Sequence, residues 1–500
     1  MALEPSAGTR SGPHRPRGLL RARWMRPLRG ESGQASAEQA GVIVVVVLLV
    51  LALVAGFTPL GARIASGIQC TVASVFSDGG GGGCGDESAQ PVTVGQSESE
   101  SSSGGSGSPQ GAPQNGKPQR KPQDPVDRAK VDESLRRARE ALKTGTFNPV
   151  TESDLEEVER QLAGLNGAEV DAFIASMSDD ELRAWVREME QGWDLFGAGG
   201  WSRERRQQMW SRVLPNASYE TVRRLAGITH DIQPRIDNVG GDSANSKGKG
   251  NGFSYQESNG TPYVDGVSPT DISQGQIGDC WYIAALKSVA AADPSVIENA
   301  ITDNGNGTYT VRLYHDGKPV DITVTGDQVV NEAGGQGFAR SGNTGELWPQ
   351  IMEKALASYE GSYGAIEGGW PSHGMEVLTG KPSTRGSTGN YGAADLKAEL
   401  DQGHAVAVST HNKPWWTWWP HRNNPLYDKD NPVDSRGNRM REPLAYNHAY
   451  QVTAVDLGDP NDPSDDTVTV QNPWYHDQPM TLPYEDLKNG FGEVYTNPVK

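Results

Sequence analysis

The sequence predicts an α+β protein whose C-terminal part is built from two unlike halves. Three observations carry this. Apolar residues recur at helical spacing through 126–237 and again from Cys280 toward Ala292. Strict alternation replaces that spacing after His448 and over Thr467 to Val470, as in half-buried strands. Long Gly-, Ser- and Pro-rich stretches separate the patterned segments and cannot bury a core. A chain of 500 residues also exceeds one ordinary core, so several units are expected.

The first segment, 1–39, is basic, with Arg10, Arg15, Arg17, Arg21, Arg23, Arg26 and Arg29. An unbroken apolar run from Ala40 to Phe57 follows, long enough for a single transmembrane helix assigned to 40–62. A secretory signal peptide is the alternative, although its apolar region would be shorter. Gly33 and Glu38, five residues apart before the run, resemble a pilin-like signal, in which a peptidase cuts after the glycine. The arginines predict that the mass after the helix faces away from the cytoplasm. There Cys70 and Cys84 have two readings. They close a disulfide loop of about 15 residues, stabilising by about 3 kcal/mol, or they stay as free thiols. Residues 63–125 hold this pair and a disordered tether.

Residues 126–237 predict a small domain of four or five helices. Leu155, Val158 and Leu162 share a face, as do Val170, Phe173, Ile174 and Met177. Ser178-Asp179-Asp180-Glu181 before Leu182, Trp185, Val186 and Met189 reads as a capped helix start. Its place before the C-terminal unit suggests an inhibitory prosegment. A linker over 238–260 leads to that unit, 261–500, divided into 261–385 and 386–500 near a Gly/Ser-rich stretch.

The chemistry lies at Gln274-Gly275-Gln276-Ile277-Gly278-Asp279-Cys280-Trp281. The glycines permit a tight loop. Cys280 opens a helix, where the dipole favours a thiolate. Its unsatisfied backbone N–H, with Gln274 across the turn, can bind a developing oxyanion.

This segment resembles the active-site signature of the calpain family, a branch of the papain-like cysteine peptidases. Gln274, Gly275, Gly278, Asp279, Cys280 and Trp281 match its six fixed positions. The resemblance implies a catalytic His and then Asn. His448 in Asn447-His448-Ala449-Tyr450 fits the first, with Asn447 where the family has glycine. Asn472 in Asn472-Pro473-Trp474 fits the second. Cys280 would then be the nucleophile, His448 the base and Asn472 the residue that orients it, with Trp474 shielding their bond. His404, His411 and His421 lack the following Asn strand. Further likeness at Glu346-Leu347-Trp348-Pro349, Gly361-Ser362-Tyr363, Glu367-Gly368-Gly369 and Leu378-Thr379-Gly380 extends it over about 260–500. It implies a papain-like core, with a mainly helical Cys half facing a β-rich His/Asn half.

These readings describe a membrane-tethered cysteine endopeptidase with the catalytic domain outside the cytoplasm and protein or peptide substrates. Two alternatives stand beside it: a pilin-like surface or adhesion protein whose protease-like domain only binds, and a thiol acyltransferase. No cofactor is required. Calcium is possible from the resemblance, but Asp456 to Asp466 lacks calcium-loop spacing and reads as a solvated hairpin. The net charge of −18 argues against nucleic acid as a partner. Trp415, Trp416, Trp418 and Trp419 are candidates for a substrate-cleft rim or for a small core under a loop.

Overall fold

The computed structural model describes residues 124–143, 150–191, 200–237, 239, 252–412 and 424–500. The basic segment, the Gly33/Glu38 motif, the apolar run from Ala40 to Phe57, Cys70, Cys84, His421 and the four clustered tryptophans lie outside these residues. Among the described residues no helix is long and apolar enough to cross a membrane.

Six helices form the first described domain, one more than expected: α1 (Arg128–Ala141), α2 (Glu152–Ala163), α3 (Gly167–Ala175), α4 (Asp179–Gln191), α5 (Arg203–Val213) and α6 (Tyr219–Ala226). Their starts are capped by side chains. Asn166 accepts from the Glu169 N–H while the Glu169 carboxylate accepts from the Asn166 N–H, both at 2.9 Å. Ser178 and Glu181 build the same reciprocal cap ahead of α4. Such caps contribute about 1 kcal/mol each. The apolar faces read from the sequence close a core around Leu155, Phe173, Trp185 and Trp210.

This domain docks on the Cys-bearing half through polar groups. Within the domain, Arg206 holds Asp231 through two bonds of 2.9 and 3.0 Å in a buried ion pair. Gln207 Nε2 donates to the Asp231 carbonyl and to Ser358 Oγ. Asn306 Nδ2 donates to the carbonyls of Leu214 and Ala217, and Ser211 Oγ to that of Asp321. The contacts fall on a β-hairpin and on the C-terminal turn of one helix, away from Cys280, His448 and Asn472.

The Cys-bearing half runs through β1 (Phe253–Gln256), β2 (Ile272–Ser273), α7 (Cys280–Ala292), α8 (Ser295–Ala300), β3 (Ile301–Asp303), β4 (Thr308–His315), β5 (Lys318–Thr325), β6 (Gln328–Asn331), β7 (Arg340–Ser341), α9 (Trp348–Glu360) and α10 (Pro371–Thr379). Strand β1, expected inside the linker, pairs with β6, so this half begins earlier than residue 261. It also carries more strand than expected, including the antiparallel sheet β3-β4-β5 that receives the helical domain.

The second half holds β8 (Thr384–Ser387), α11 (Ala393–Asp401), β9 (Ala405–Thr410), β10 (Ala449–Asp456), β11 (Thr467–Gln471), β12 (Pro479–Pro483), α12 (Tyr484–Gly490) and β13 (Phe491–Asn497). Its antiparallel sheet has the order β12-β11-β10-β9-β13-β8. Because Thr384 pairs with Thr496, the sheet starts two residues before the expected boundary at 386. The period of two does specific work in β9. Ala405 and Ala407 enter the core shared with α7, while Val406 and Val408 enter the core behind the sheet. Small residues on one face let α7 approach the sheet closely. The aspartate-rich segment 456–466 joins antiparallel β10 and β11, with Asp459, Asp462 and Asp465 engaged in turn hydrogen bonds.

Candidate active site

Helix α7 is buried from Trp281 through Ala290 on every face, as expected of a helix packed between two layers. Its sequence is apolar throughout except Lys287 and Ser288. The loop before it must pass close to the backbone of Phe338, and a Cβ at Gly275 would collide there. Gly278 has no such need, since the nearest atom to its Cβ position is 3.8 Å away.

Cys280 occupies the first helical position and is half-buried. Its thiol does not follow the dipole argument. Burial pushes it up to about 12, offset in part by the Ala449 N–H, which donates to the sulfur. A helix terminus is worth about 0.3–1 kcal/mol, less than one pKa unit. Desolvation works against the dipole and outweighs it. The Ala449 contact also places the start of β10 against Cys280.

Asp279, at the helix start, caps nothing. Its carboxyl turns inward to Glu353 of α9, and both groups are fully buried. Burial raises both; Asp279 raises Glu353 further, whereas the contact with Glu353 lowers Asp279 in part. Glu353 also accepts from the Ala339 N–H at 2.8 Å.

His448 precedes β10 and is 5% exposed. Asn447 before it takes φ +53°, which explains why a glycine or asparagine suits that position. The His448 N–H donates to Thr410 Oγ1 at 3.0 Å, fixing the ring's base on β9. Burial pushes the imidazole down to about 4, against the opposing bond from Asn472.

Asn472 follows β11 and meets His448 Nε2 through Oδ1 at 2.9 Å. The amide orientation is decided by its other partners. Nδ2 donates to Glu442 Oε1 at 3.0 Å, and an ionised carboxylate can only accept. The Trp474 N–H donates to Oδ1 at 3.1 Å. Oδ1 is therefore the face shown to His448, so Nε2 carries the hydrogen and Nδ1 keeps a lone pair. Tyr475 donates to the second Glu442 oxygen at 2.7 Å. The Trp474 ring lies 4.5 Å from the His448 ring and is 45% exposed, a cover over the bond rather than core.

Gln274 is buried beside Cys280, but its amide is turned toward its own loop. Nε2 donates to the Ile277 carbonyl at 2.6 Å, and Oε1 has no partner. One of its two amide hydrogens is thus committed before any substrate arrives. Among the described residues no group of three or more His, Cys, Asp or Glu is placed to hold a metal ion.

The structure pairs His448 with Asn472 and places their chain neighbours Ala449 and Pro473 against Cys280 and Gln274. His404 pairs with Glu399 on the far side of α11, and His411 sits at the end of β9. Sequence reasoning missed Glu442, which carries no motif, and Glu353, whose partnership with Asp279 spans 74 residues. Lys287 did leave a signal: a lysine between Leu286 and Val289 interrupts an otherwise apolar helix.

The calpain family cysteine protease profile matches residues 256–482. A calpain-type cysteine protease of Oryza sativa subsp. japonica is 28% identical over 236 residues, covering 47% of this chain and 10% of that protein. The calpain-1 catalytic subunit of Bos taurus is 36% identical over 122 residues, 23% of this chain and 17% of that protein. That of Sus scrofa is 28% identical over 222 residues, 42% and 28% respectively. The chain thus spans only a small part of the length of these relatives. Residues 256–482 are thus similar to the cysteine protease domain of the calpain family.

Proposed function

We propose that this chain is a membrane-tethered endopeptidase that cleaves proteins outside the cytoplasm, with Cys280, His448 and Asn472 as its triad. The observation that carries the catalytic part is the 2.9 Å bond between His448 Nε2 and an Asn472 oriented by Glu442. It leaves Nδ1 as the ring nitrogen able to take a proton. Burial raises the thiol and lowers the imidazole, which favours proton transfer that accompanies attack. As Sγ bonds to the peptide carbonyl carbon, its proton moves to Nδ1. The carbonyl oxygen becomes an oxyanion held by N–H groups at the start of α7 and by Gln274. The C–N bond then breaks, and Nδ1 returns the proton to the leaving amine. Water attacks the thioester with His448 as base, releasing the acid and the thiol.

Replacing Cys280 by Ala is expected to lower peptide cleavage by about 10⁴-fold or more. Cleavage at the wild-type rate would overturn the assignment. The same assay with an added amine separates hydrolysis from acyl transfer, and runs with and without calcium determine whether that ion contributes. The tether rests on the apolar run from Ala40 to Phe57 and the arginines before it. It predicts release of the full chain by detergent and not by high salt; salt extraction would refute it.

A further inference from the structure

The loop after Asn472 is fastened to the other half of the domain, and a buried lysine lies at the centre of the fastening. Lys287 sits on α7 two turns beyond Cys280 and is fully buried. Among the described residues no carboxylate hydrogen-bonds it. Its Nζ donates to the Pro269 carbonyl at 2.7 Å, in the Cys-bearing half, and to the His476 carbonyl at 3.0 Å, four residues after Asn472. The Lys287 carbonyl in turn accepts from Gln451 Nε2 of β10 at 3.1 Å.

Other bonds run beside this one. The Gln274 N–H donates to the Pro473 carbonyl at 2.7 Å. The His476 ring spans two groups of the Cys-bearing half, with Nδ1 at 3.1 Å from the Asp271 carbonyl and Nε2 at 3.1 Å from Ser273 Oγ. A carbonyl can only accept, so Nδ1 carries the hydrogen and Nε2 accepts from the serine. The 473–476 segment is therefore held by the Cys-bearing half at both of its ends, Pro473 and His476.

Burying a lysine costs several kcal/mol unless its donors are used. Here burial pushes the ammonium down to about 7, against the attraction of Asp477 and Asp271. Either protonation state still has two hydrogens for the two carbonyls. An apolar side chain would fill the same space in α7 without this cost. The position thus carries a cost in stability that only the cross-cleft bonds recover.

We propose that Lys287 is a positioning residue: by bridging Pro269 and His476 it holds the Asn472 loop in register with the helix that presents Cys280. This rests on the triad reading of the preceding subsection. It makes alignment of the two halves a property of the chain's own side chains.

The test compares the full chain with Lys287→Met, which keeps length and volume but donates nothing, and with Lys287→Gln, which retains one shorter donor. Peptide kcat is expected to fall about 10- to 100-fold in Lys287→Met and less in Lys287→Gln, with KM within about threefold. Backbone amides of 472–478 are expected to exchange at least about tenfold faster, while those of α2 and α5 are unchanged. A kcat within twofold of wild type, or unchanged exchange at 472–478, would overturn the proposal. Should Lys287→Met fail to fold, His476→Ala removes the neighbouring bridge and must show the same pattern at smaller size. Should the wild-type chain cleave no peptide, the triad reading fails, and the exchange comparison alone decides whether Lys287 holds the loop.

Discussion

The two walls of the cleft hold their reactive side chains by different means. On the Cys280 wall the thiol is fixed by the backbone: a helix start and a glycine pressed against Phe338. On the opposite wall position is passed from side chain to side chain, from Glu442 to Asn472 to His448. A backbone-built site tolerates substitution of its neighbours as long as the helix persists. A chain of oriented side chains fails at whichever link is removed. The difference predicts that the His/Asn wall is the more sensitive to single substitutions that leave the fold intact.

The largest effect on that wall belongs to Asn472. Asn472→Ala removes the acceptor for Nε2–H, and the ring can then rotate or change tautomer. We expect kcat to fall about 10²-fold, with KM within about threefold. An equal rise in KM would show that Asn472 shapes the substrate site instead.

Glu442 should act at the next level. Without its carboxylate the Asn472 amide can turn over and present Nδ2 to His448, which favours the wrong tautomer. Glu442→Ala is expected to lower kcat about tenfold, and Glu442→Gln less, because Gln still offers one acceptor. If both variants match wild type, the Trp474 N–H alone orients Asn472.

These sensitivities bear on what the sequence could reveal. The nucleophile and its helix were legible because a local segment encodes them: Gln274 to Trp281 is a contiguous loop and helix start. His448 and Asn472 were legible because each stands beside an alternating strand. Glu442 was not, because it lies in an irregular segment and meets Asn472 only through tertiary folding. The direction of the Cys280 shift was misread for a related reason. A helix dipole is visible in one sequence segment, whereas the desolvation that overrides it comes from packing between two halves. The strands of the Cys-bearing half were under-read because β3, β6 and β7 are two to four residues long, too short for a periodic signal.

The smallest effect concerns pH, and it tests whether the two walls meet as neutral partners. His448 is held down to about 4 by burial, so it stays able to accept the thiol proton across the neutral range. The sign follows from its unfolded value near 6.5. Between about 6.5 and 4 the unfolded chain binds a proton at His448 that the folded chain refuses. Stability from this group is complete above 6.5 and is lost as pH falls toward 4, at about 1.4 kcal/mol per unit. Activity should behave differently from stability over the same window. With folding intact, kcat/KM is expected to vary less than twofold from pH 5.5 to 7.5 and to fall only as His448 protonates near 4. An acid limb centred near 6.5 would mean instead that the imidazole is solvated at rest. The two halves would then stand further apart in solution, and closure on substrate, rather than the side-chain relay through Glu442, would assemble the site.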